Sequence, residues 1–152
     1  MRVLVGVVAV ALVAAGGASA AVGASASGSG TALFGNTIEH IAFSAQQVAG
    51  TAATGEAKIN DASAGVRVDV DVNCLNVIGN YAIVSGVVTR SNDPTLVGDE
   101  AAFAVQDNGE GAKAPPDLMS IVNFYNVGVG PDCRVLSEYD LVPLEGGNIQ
   151  VD

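Results

Sequence analysis

The sequence predicts an all-β fold, a small antiparallel barrel or roll with its strands in meander order, and leaves a β-sandwich as the alternative. Seven or eight short segments alternate apolar with polar residues or are rich in β-branched residues, and Gly, Asn, Asp and Pro separate them. No segment carries a sustained apolar stripe at helical spacing. Short strands divided by turn residues in this way are typical of all-β domains.

The strongest strand pattern is VRVDVDVNC at 66–74, where valines occupy one face and charged or amide side chains the other. The apolar phase slips by one residue after Cys74, which predicts a bulge or the end of the strand. The Gly-Asn pair at 79–80 predicts a two-residue hairpin turn. The return strand then covers 81–90, until Ser-Asn-Asp-Pro at 91–94 stops it.

The other predicted strands are shorter. They cover 36–45, 55–60, 101–106, 119–127 and 148–151, and 134–139 is a further candidate. The first four strands follow one another along the chain at hairpin spacing, which favours an up-and-down barrel or roll over a Greek-key sandwich.

Residues 1–20 have the layout of a secretory signal peptide. Arg2 precedes an apolar run, and small residues end at Ala-Ser-Ala, 18–20, an A-x-A cleavage site. The apolar run is shorter than the roughly 20 strongly apolar residues that a membrane-spanning helix requires. A second A-x-A at 24–26 leaves the position of the cut open.

Residues 21–33 are almost wholly Ala, Gly and Ser, a composition that predicts a flexible leader because it offers little apolar surface to bury. A single β-domain is then expected over 34–152, a length typical of one hydrophobic core. The predicted location is secreted and extracellular, either free or associated with the cell wall.

The chain is acidic, with 6 Lys and Arg against 16 Asp and Glu and a formal net charge of −10. This charge repels phosphate backbones and anionic membrane surfaces, which argues against a nucleic-acid partner and against membrane insertion after signal cleavage. It favours cations or a basic surface on an extracellular or cell-envelope partner, whose identity is unknown.

The 2 cysteines, Cys74 and Cys133, predict one disulfide, since an even count in an exported chain pairs in an oxidising compartment. A bridge that closes a loop of about 60 residues would contribute about 4 kcal/mol to the free energy of unfolding. The alternative is a pair of free thiols or half of a zinc site, which the single histidine, His40, does not complete.

The stretch VQDNGEGAKAPPD at 105–117 is the densest candidate site. Asp107, Glu110 and Asp117 offer the carboxylate oxygens that Ca²⁺ prefers, so they are the candidate metal ligands. The same stretch is also ordinary turn chemistry, since Asp-Asn-Gly favours a hairpin and the two prolines at 115–116 favour an extended exit. A structural loop and a cation site both stay open.

Three further interpretations, one of a calcium loop and two of catalytic residues, have little support in the sequence. The Asp-x-Asp-x-Asn pattern at 69–73 begins like a calcium loop but lacks the later Gly and Glu of an EF-hand, so a solvated strand face is expected. His40 lies in a strand pattern without a nucleophile motif, so a satisfied or partly exposed histidine is expected. Glu110 with Asp107 or Asp117 would suit a glycoside hydrolase, but the chain has no Trp for a sugar platform.

Several short motifs are spread over most of the mature chain. They are VNCLNV followed by Gly-Asn at 72–80, VV at 87–88, SNDP at 91–94, DNGEG with APPD at 107–117, and EGGNIQV at 145–151. Together they resemble a group of small exported bacterial β-domain proteins, largely uncharacterised, of which the DNGEG and APPD run is the most specific mark. The resemblance implies an exported single domain with a disulfide, and it names no activity.

The predicted function is that of a secreted, non-catalytic β-domain, an interaction module at the surface or envelope whose loop at 107–117 is a candidate Ca²⁺ site. No other cofactor is expected. The alternative is a small hydrolase or lyase that uses the carboxylates of that loop.

Overall fold

The computed structural model describes residues 23–135 and 138–152, which form an all-β fold. The strands are β1 (Ala24–Phe34), β2 (Thr37–Gln47), β3 (Thr54–Asp61), β4 (Val66–Ile78), β5 (Tyr81–Ser91), β6 (Glu100–Gln106), β7 (Leu118–Ser120), β8 (Asn123–Tyr125) and β9 (Leu141–Val151). A 3-10 turn at Pro94–Leu96 is the one helical element within the described residues. The predicted signal peptide, 1–20, lies outside them.

The nine strands form one antiparallel sheet that closes into a ring. β1 to β6 are neighbours in chain order, so the predicted meander is confirmed for them. β9 and β7 complete the circle between β1 and β6, while β8 shares with β7 the edge of β6 that faces away from β5. The ring is not a regular barrel, because β7 has only 3 residues and gives β6 and β9 little strand to pair with.

Because successive strands are antiparallel, the turns collect at two ends of the ring. The lower end carries the turns at 35–36 and 62–65 and the segment 92–99. The upper end carries the turns at 48–53 and 79–80 and the loop at 107–117.

The main core lies inside the ring. Alternate residues of each strand point inward, such as Ile41, Phe43 and Ala45 of β2. Phe43 meets Phe103 of β6 edge to face, with ring centroids 5.3 Å apart. Most inward positions of the strands therefore belong to one apolar core cluster.

A second, smaller cluster lies on the outer face of β5 and β6. Ile83 and Ala104 are buried there against Cys133, and Tyr139 packs onto them. The predicted disulfide is confirmed, and it joins Cys133 to Cys74 on β4. The bridge thereby holds the chain that follows β8 against the outside of the sheet.

The predicted leader at 21–33 is wrong for most of its length, because Ala24–Phe34 form β1, the strand that joins β2 to β9. A composition of small side chains predicts flexibility, whereas in this strand the small side chains permit close packing. Ala26 and Ala32 are fully buried in the main core. The first described strand therefore begins at Ala24, ten residues before the predicted domain boundary.

Glycines allow β1 and β9 to approach closely. A Cβ on Gly28 would meet the carbonyl oxygen of Asn148, and a Cβ on Gly30 would lie 2.6 Å from Cδ1 of Leu144. Gly30 faces Gly147 across the strand pair. A glycine in a strand often marks such a close approach of two backbones, and here it explains the unusual composition of β1.

Gly147→Ala is expected to lower the free energy of unfolding by about 2 kcal/mol, from backbone strain and steric overlap. Gly147 has φ +121°, and a Cβ there would meet the backbone of Ser29 and Gly30. Gly146→Ala is the matched control, since a Cβ on Gly146 meets nothing within 4 Å. Its effect is expected to stay within about 0.5 kcal/mol. Urea unfolding followed by circular dichroism compares the two, and equal effects would contradict the close packing of β1 on β9.

The central hairpin agrees with its prediction. The pairing of β4 with β5 shifts register between Val72 and Cys74, which confirms the bulge. The turn at 79–80 links the two strands, with Gly79 at φ +63°. Asp93 ends the hairpin as predicted, since its carboxylate accepts a hydrogen bond from the backbone N of Thr95 at 3.0 Å.

Three later strand predictions need correction. The segment 119–127 is divided into β7 and β8, because the backbone between them bonds a side chain of β2 instead of a neighbouring strand. β9 begins at Leu141 and not at residue 148, since the glycines at 146–147 continue the strand against β1. The described residues of 134–139 form no strand.

Candidate functional site

The loop at 107–117 joins β6 to β7 at the upper end of the ring. Each of its three candidate metal ligands accepts a hydrogen bond from a residue of β9. Oδ2 of Asp107 accepts a hydrogen bond from the backbone N of Val151 at 3.2 Å. Oε1 of Glu110 accepts one from the side chain of Asn148 at 2.9 Å. These contacts place carboxylates where a full-length partner strand of β9 would otherwise lie.

Asp117 is the most enclosed of the three, at 6% exposed. Its Oδ1 accepts a hydrogen bond from the backbone N of Asn108 at 2.8 Å, and its Oδ2 accepts one from the backbone N of Ile149 at 2.7 Å. Its carbonyl oxygen accepts a third from the backbone N of Leu144 at 2.8 Å. Because both carboxylate oxygens satisfy backbone donors, Asp117 closes the ring between the loop and β9.

The three carboxylates do not come together as a group of metal ligands. Across 23–135 and 138–152, the one group of three His, Cys, Asp or Glu whose ligand atoms all lie within 4.8 Å of one another is Cys74, Asp132 and Cys133. Its two sulfur atoms are joined in the disulfide, so it offers no thiolate. The Ca²⁺ site in the loop stays a prediction, whereas the hydrogen bonds support a structural loop. Calorimetric titration with Ca²⁺ is its test.

Asp117→Asn is expected to lower the free energy of unfolding by about 2 kcal/mol, because an amide loses one acceptor and sets an N–H against a buried backbone N–H. Glu110→Gln is the matched control, since Glu110 is exposed and bonds only a side chain. Its effect is expected to stay within about 0.5 kcal/mol. Chemical denaturation measures both, and an Asp117→Asn effect no larger than the control would contradict the structural role of the loop.

The two patterns on the outer face of the sheet lie as predicted. His40 is exposed on β2, with Nδ1 2.7 Å from Oγ1 of Thr31. The acidic pattern at 69–73 lies on the outside of β4, where Asp69 forms an ion pair with Arg90 at 2.7 Å. Both are solvated strand positions.

A cleft of about 590 Å³ lies beside the disulfide, between the turn at 50–53 and the chain at 128–134. Asp132 and Arg134, two of its charged side chains, bond each other at 2.9 Å on the surface. Exposed ion pairs of this kind are solvated and contribute little to the free energy of unfolding. The cleft therefore has the character of a surface groove.

A site that the sequence predictions missed lies at the lower end of the ring. Glu39 of β2 points into the interior and is only 3% exposed. Its Oε1 accepts a hydrogen bond from the backbone N of Val122 at 3.1 Å. Its Oε2 has no hydrogen-bond partner among the described residues, and it is not sealed from solvent. Glu39 lines a cavity of about 270 Å³, which we call the Glu39 cavity.

The walls of the Glu39 cavity are apolar apart from two carboxylates. The apolar residues are Ile59, Val66, Val68, Leu96, Ile121, Val122 and Phe124. Asp61 is the second carboxylate, and it stands directly opposite Glu39 in the pairing of β2 with β3, so both side chains share one face. Oδ1 of Asp61 accepts hydrogen bonds from the backbone N of Ser63 and of Ala64, both at 2.9 Å.

Burial raises the pKa of Glu39 from 4.5 to about 7. The hydrogen bond from Val122 acts in the opposite direction, and the negative charge of Asp61 adds to the rise. A carboxyl group with this pKa exchanges its proton near neutral pH. Such a group in an apolar cavity is a candidate functional site on physical grounds.

The sequence does carry a signal for this site. In TIEHIAF, Glu39 falls in phase with Ile41 and Phe43, the inward positions of β2. Asp61 falls in phase with Ile59 on β3 in the same way. A carboxylate in the apolar phase of a strand indicates a carboxylate that is turned toward the core. Two such positions on adjacent strands indicate two carboxylates that lie close together.

No protein-family model, curated protein or solved structure matches the chain. The resemblance to small exported bacterial β-domain proteins therefore stays a prediction. Within the described part of the chain, no helix is long and apolar enough to span a membrane. Function is inferred from the geometry of the site, since a fold alone does not specify an activity.

Proposed function

We propose that the protein is a secreted, non-catalytic β-domain, an interaction module at the cell surface or envelope that recognises its ligand through the Glu39 cavity. One observation carries this proposal. A carboxylate that is 3% exposed leaves one oxygen unbonded in a cavity with apolar walls. Partial removal of a carboxylate from water without a cation beside it is unfavourable, so a ligand that bonds its open oxygen explains why the group stands there. Apolar walls with few convergent polar groups are typical of small-molecule sites.

A carboxylate-dependent hydrolase or lyase is the second candidate, at this cavity and not at the loop. The pairing of Glu39, with its pKa of about 7, and Asp61 favours it, because acid–base catalysis uses carboxyl groups in different protonation states. Binding is the better proposal, because the other described residues that line the cavity are apolar side chains, which offer no donors to a reacting group. Turnover of an ester or glycoside that Glu39→Gln abolishes would reverse this preference.

Export is supported by the disulfide, which persists in oxidising compartments. We expect the exported chain to begin at Ala21. Cleavage after Ala26 would remove the start of β1 and the two backbone hydrogen bonds between Ser25 and Asp152, at 2.8 and 2.9 Å. Intact mass of the protein recovered from the culture medium or envelope measures the start, and a chain that begins at residue 27 or retains 1–20 would contradict this expectation.

Hexanol, a short apolar alcohol, is a suitable probe of the proposed site. In an NMR titration of the isotope-labelled mature domain, the amide signals of Val122 and Ile59 are expected to shift, because both residues line the cavity. Val66→Phe fills the cavity and is expected to abolish the shifts. Val87→Phe, on the exposed face of β5, is the matched control and is expected to keep them. Absent shifts in the wild type, or shifts that survive Val66→Phe, would contradict the proposal.

A further inference from the structure

We infer that the Glu39 cavity selects a small ligand that carries a protonated amino group on an apolar body, an alkylammonium. The inference rests on the proposed binding function, and it adds the chemical class of the ligand.

The cavity holds negative charge that the protein does not compensate. No Lys or Arg of the described residues forms an ion pair with Glu39 or Asp61. The two ion pairs of the described residues join Arg90 to Asp69 and Arg134 to Asp132, on the surface. A buried or half-buried carboxylate interacts more strongly with a cation than a solvated one does, because screening by water is weaker. The chain as a whole, at a net charge of −10, also attracts cations.

The open oxygen atoms of the cavity require donors. Oε2 of Glu39 and Oδ2 of Asp61 accept no hydrogen bond from the described residues, while the other oxygen of each carboxylate does. Directly opposed residues of an antiparallel pair have Cβ atoms about 5 Å apart. An ammonium group, with three N–H donors and a positive charge, is therefore able to bond both carboxylates from one position. A hydroxyl group offers one donor and no charge.

The remaining walls specify an apolar body. Val66, Leu96 and Phe124 face the same cavity as the carboxylates, so an alkyl chain is buried there while its ammonium group bonds Glu39. A bare metal ion fits these walls poorly, because Ca²⁺ takes about 6 to 8 oxygen ligands. Within the described residues the cavity supplies two carboxylates and apolar carbon.

Calorimetric titration of the mature domain with hexylammonium, hexanol and hexanoate tests the inference. At about pH 8 the wild type is expected to bind hexylammonium at least about tenfold more tightly than hexanol, and hexanoate most weakly. Glu39→Gln is expected to lose this preference and to keep its affinity for hexanol. Asp61→Asn retains an oxygen for the turn at 62–65 and is expected to reduce the preference. Glu56→Gln, on the exposed outer face of β3, is the control that leaves it unchanged.

The preference is also expected to shrink at about pH 5.5, where Glu39 carries a proton in the folded protein. Asp61 is the other titratable side chain that lines the cavity, and Asp61→Asn separates its contribution from that of Glu39.

Equal affinity of the wild type for hexylammonium and hexanol would overturn the ammonium inference and leave the cavity as an apolar site. A preference that survives Glu39→Gln would overturn the assignment of the preference to Glu39. Binding of Ca²⁺ that depends on Glu39 and displaces hexylammonium would overturn it in favour of a metal site. If none of the three probes binds, the proposed binding function fails together with the inference.

Discussion

Replacement of Cys74 and Cys133 by serine is expected to lower the free energy of unfolding by about 4 kcal/mol. The bridge joins residues 59 apart, so it removes many conformations from the unfolded chain. It also holds the chain after β8 over Ile83 and Ala104, the buried part of the outer cluster. Urea unfolding of the double variant, followed by circular dichroism, measures the loss.

The reduced wild type is the control for this prediction. Reductant is expected to bring the wild type to the stability of the double-serine variant and to leave that variant unchanged. A loss below about 1 kcal/mol would contradict the assigned role of the bridge, since typical native disulfides contribute more. Loss of hydrogen-exchange protection at Ile83 and Ala104, with β1 to β3 still protected, would locate the effect at the outer cluster.

Glu39→Gln is expected to remove about 3 kcal/mol of pH dependence from the stability of the domain. The pKa of Glu39 rises from 4.5 to about 7 on folding because the group is buried. Below pH 4.5 both folded and unfolded states hold the proton. As the pH rises from 4.5 to about 7, the unfolded chain loses the proton while the folded chain keeps it, so the wild type is progressively destabilised. Glutamine does not titrate and escapes this loss.

The measurement is the difference in free energy of unfolding between Glu39→Gln and the wild type at several pH values, which cancels the titration of the other groups. The difference is expected to move in favour of glutamine by about 3 kcal/mol between pH 4.5 and pH 8. Glu56→Gln, at an exposed position of β3, is the matched control for which a nearly flat difference is expected. A flat difference for Glu39→Gln as well would show that Glu39 is solvated.

The sequence predicts the parts of the fold that depend on neighbouring residues, such as the strand pattern of β4 and the turn that follows it. Strict alternation at 66–74 predicts a half-buried strand because one face must be apolar, and β4 has that pattern. The Gly-Asn turn at 79–80 follows from backbone geometry. The bulge between Val72 and Cys74 follows from the slip in the apolar phase of the strand. The disulfide follows from the count of two cysteines in a chain expected to be exported.

The sequence does not predict the role of a residue when that role depends on a distant strand. The Ala, Gly and Ser residues of β1 offer little surface by themselves, and only the approach of β9 to Gly28 and Gly30 makes small size necessary. In the sequence alone, the carboxylate of Asp117 resembles a free metal ligand. In the structure it accepts a hydrogen bond from the backbone N of Ile149, which lies 32 residues later in the chain. Both the close packing of β1 and the hydrogen bonds of Asp117 depend on β9, which closes the ring. No local sequence pattern predicts this closure.

The sequence analysis does not predict the Glu39 cavity, for a related reason. The loop at 107–117 concentrates carboxylates in sequence, whereas Glu39 and Asp61 are 22 positions apart and meet only through the pairing of β2 with β3. The alternation phase of each residue is present in the sequence, since each follows the inward positions of its strand. Recognition of the pair requires the order of the strands in addition to their phases.

The most direct measurement is an NMR titration of the side-chain carboxyl carbon of Glu39, with and without hexylammonium. A pKa of about 7 is expected for the free protein, because burial opposes ionisation. Hexylammonium is expected to lower that pKa, because a bound cation stabilises the carboxylate. A pKa of 4.5, unchanged by hexylammonium, would mean that Glu39 faces water and would contradict the assignment of a ligand site to this cavity.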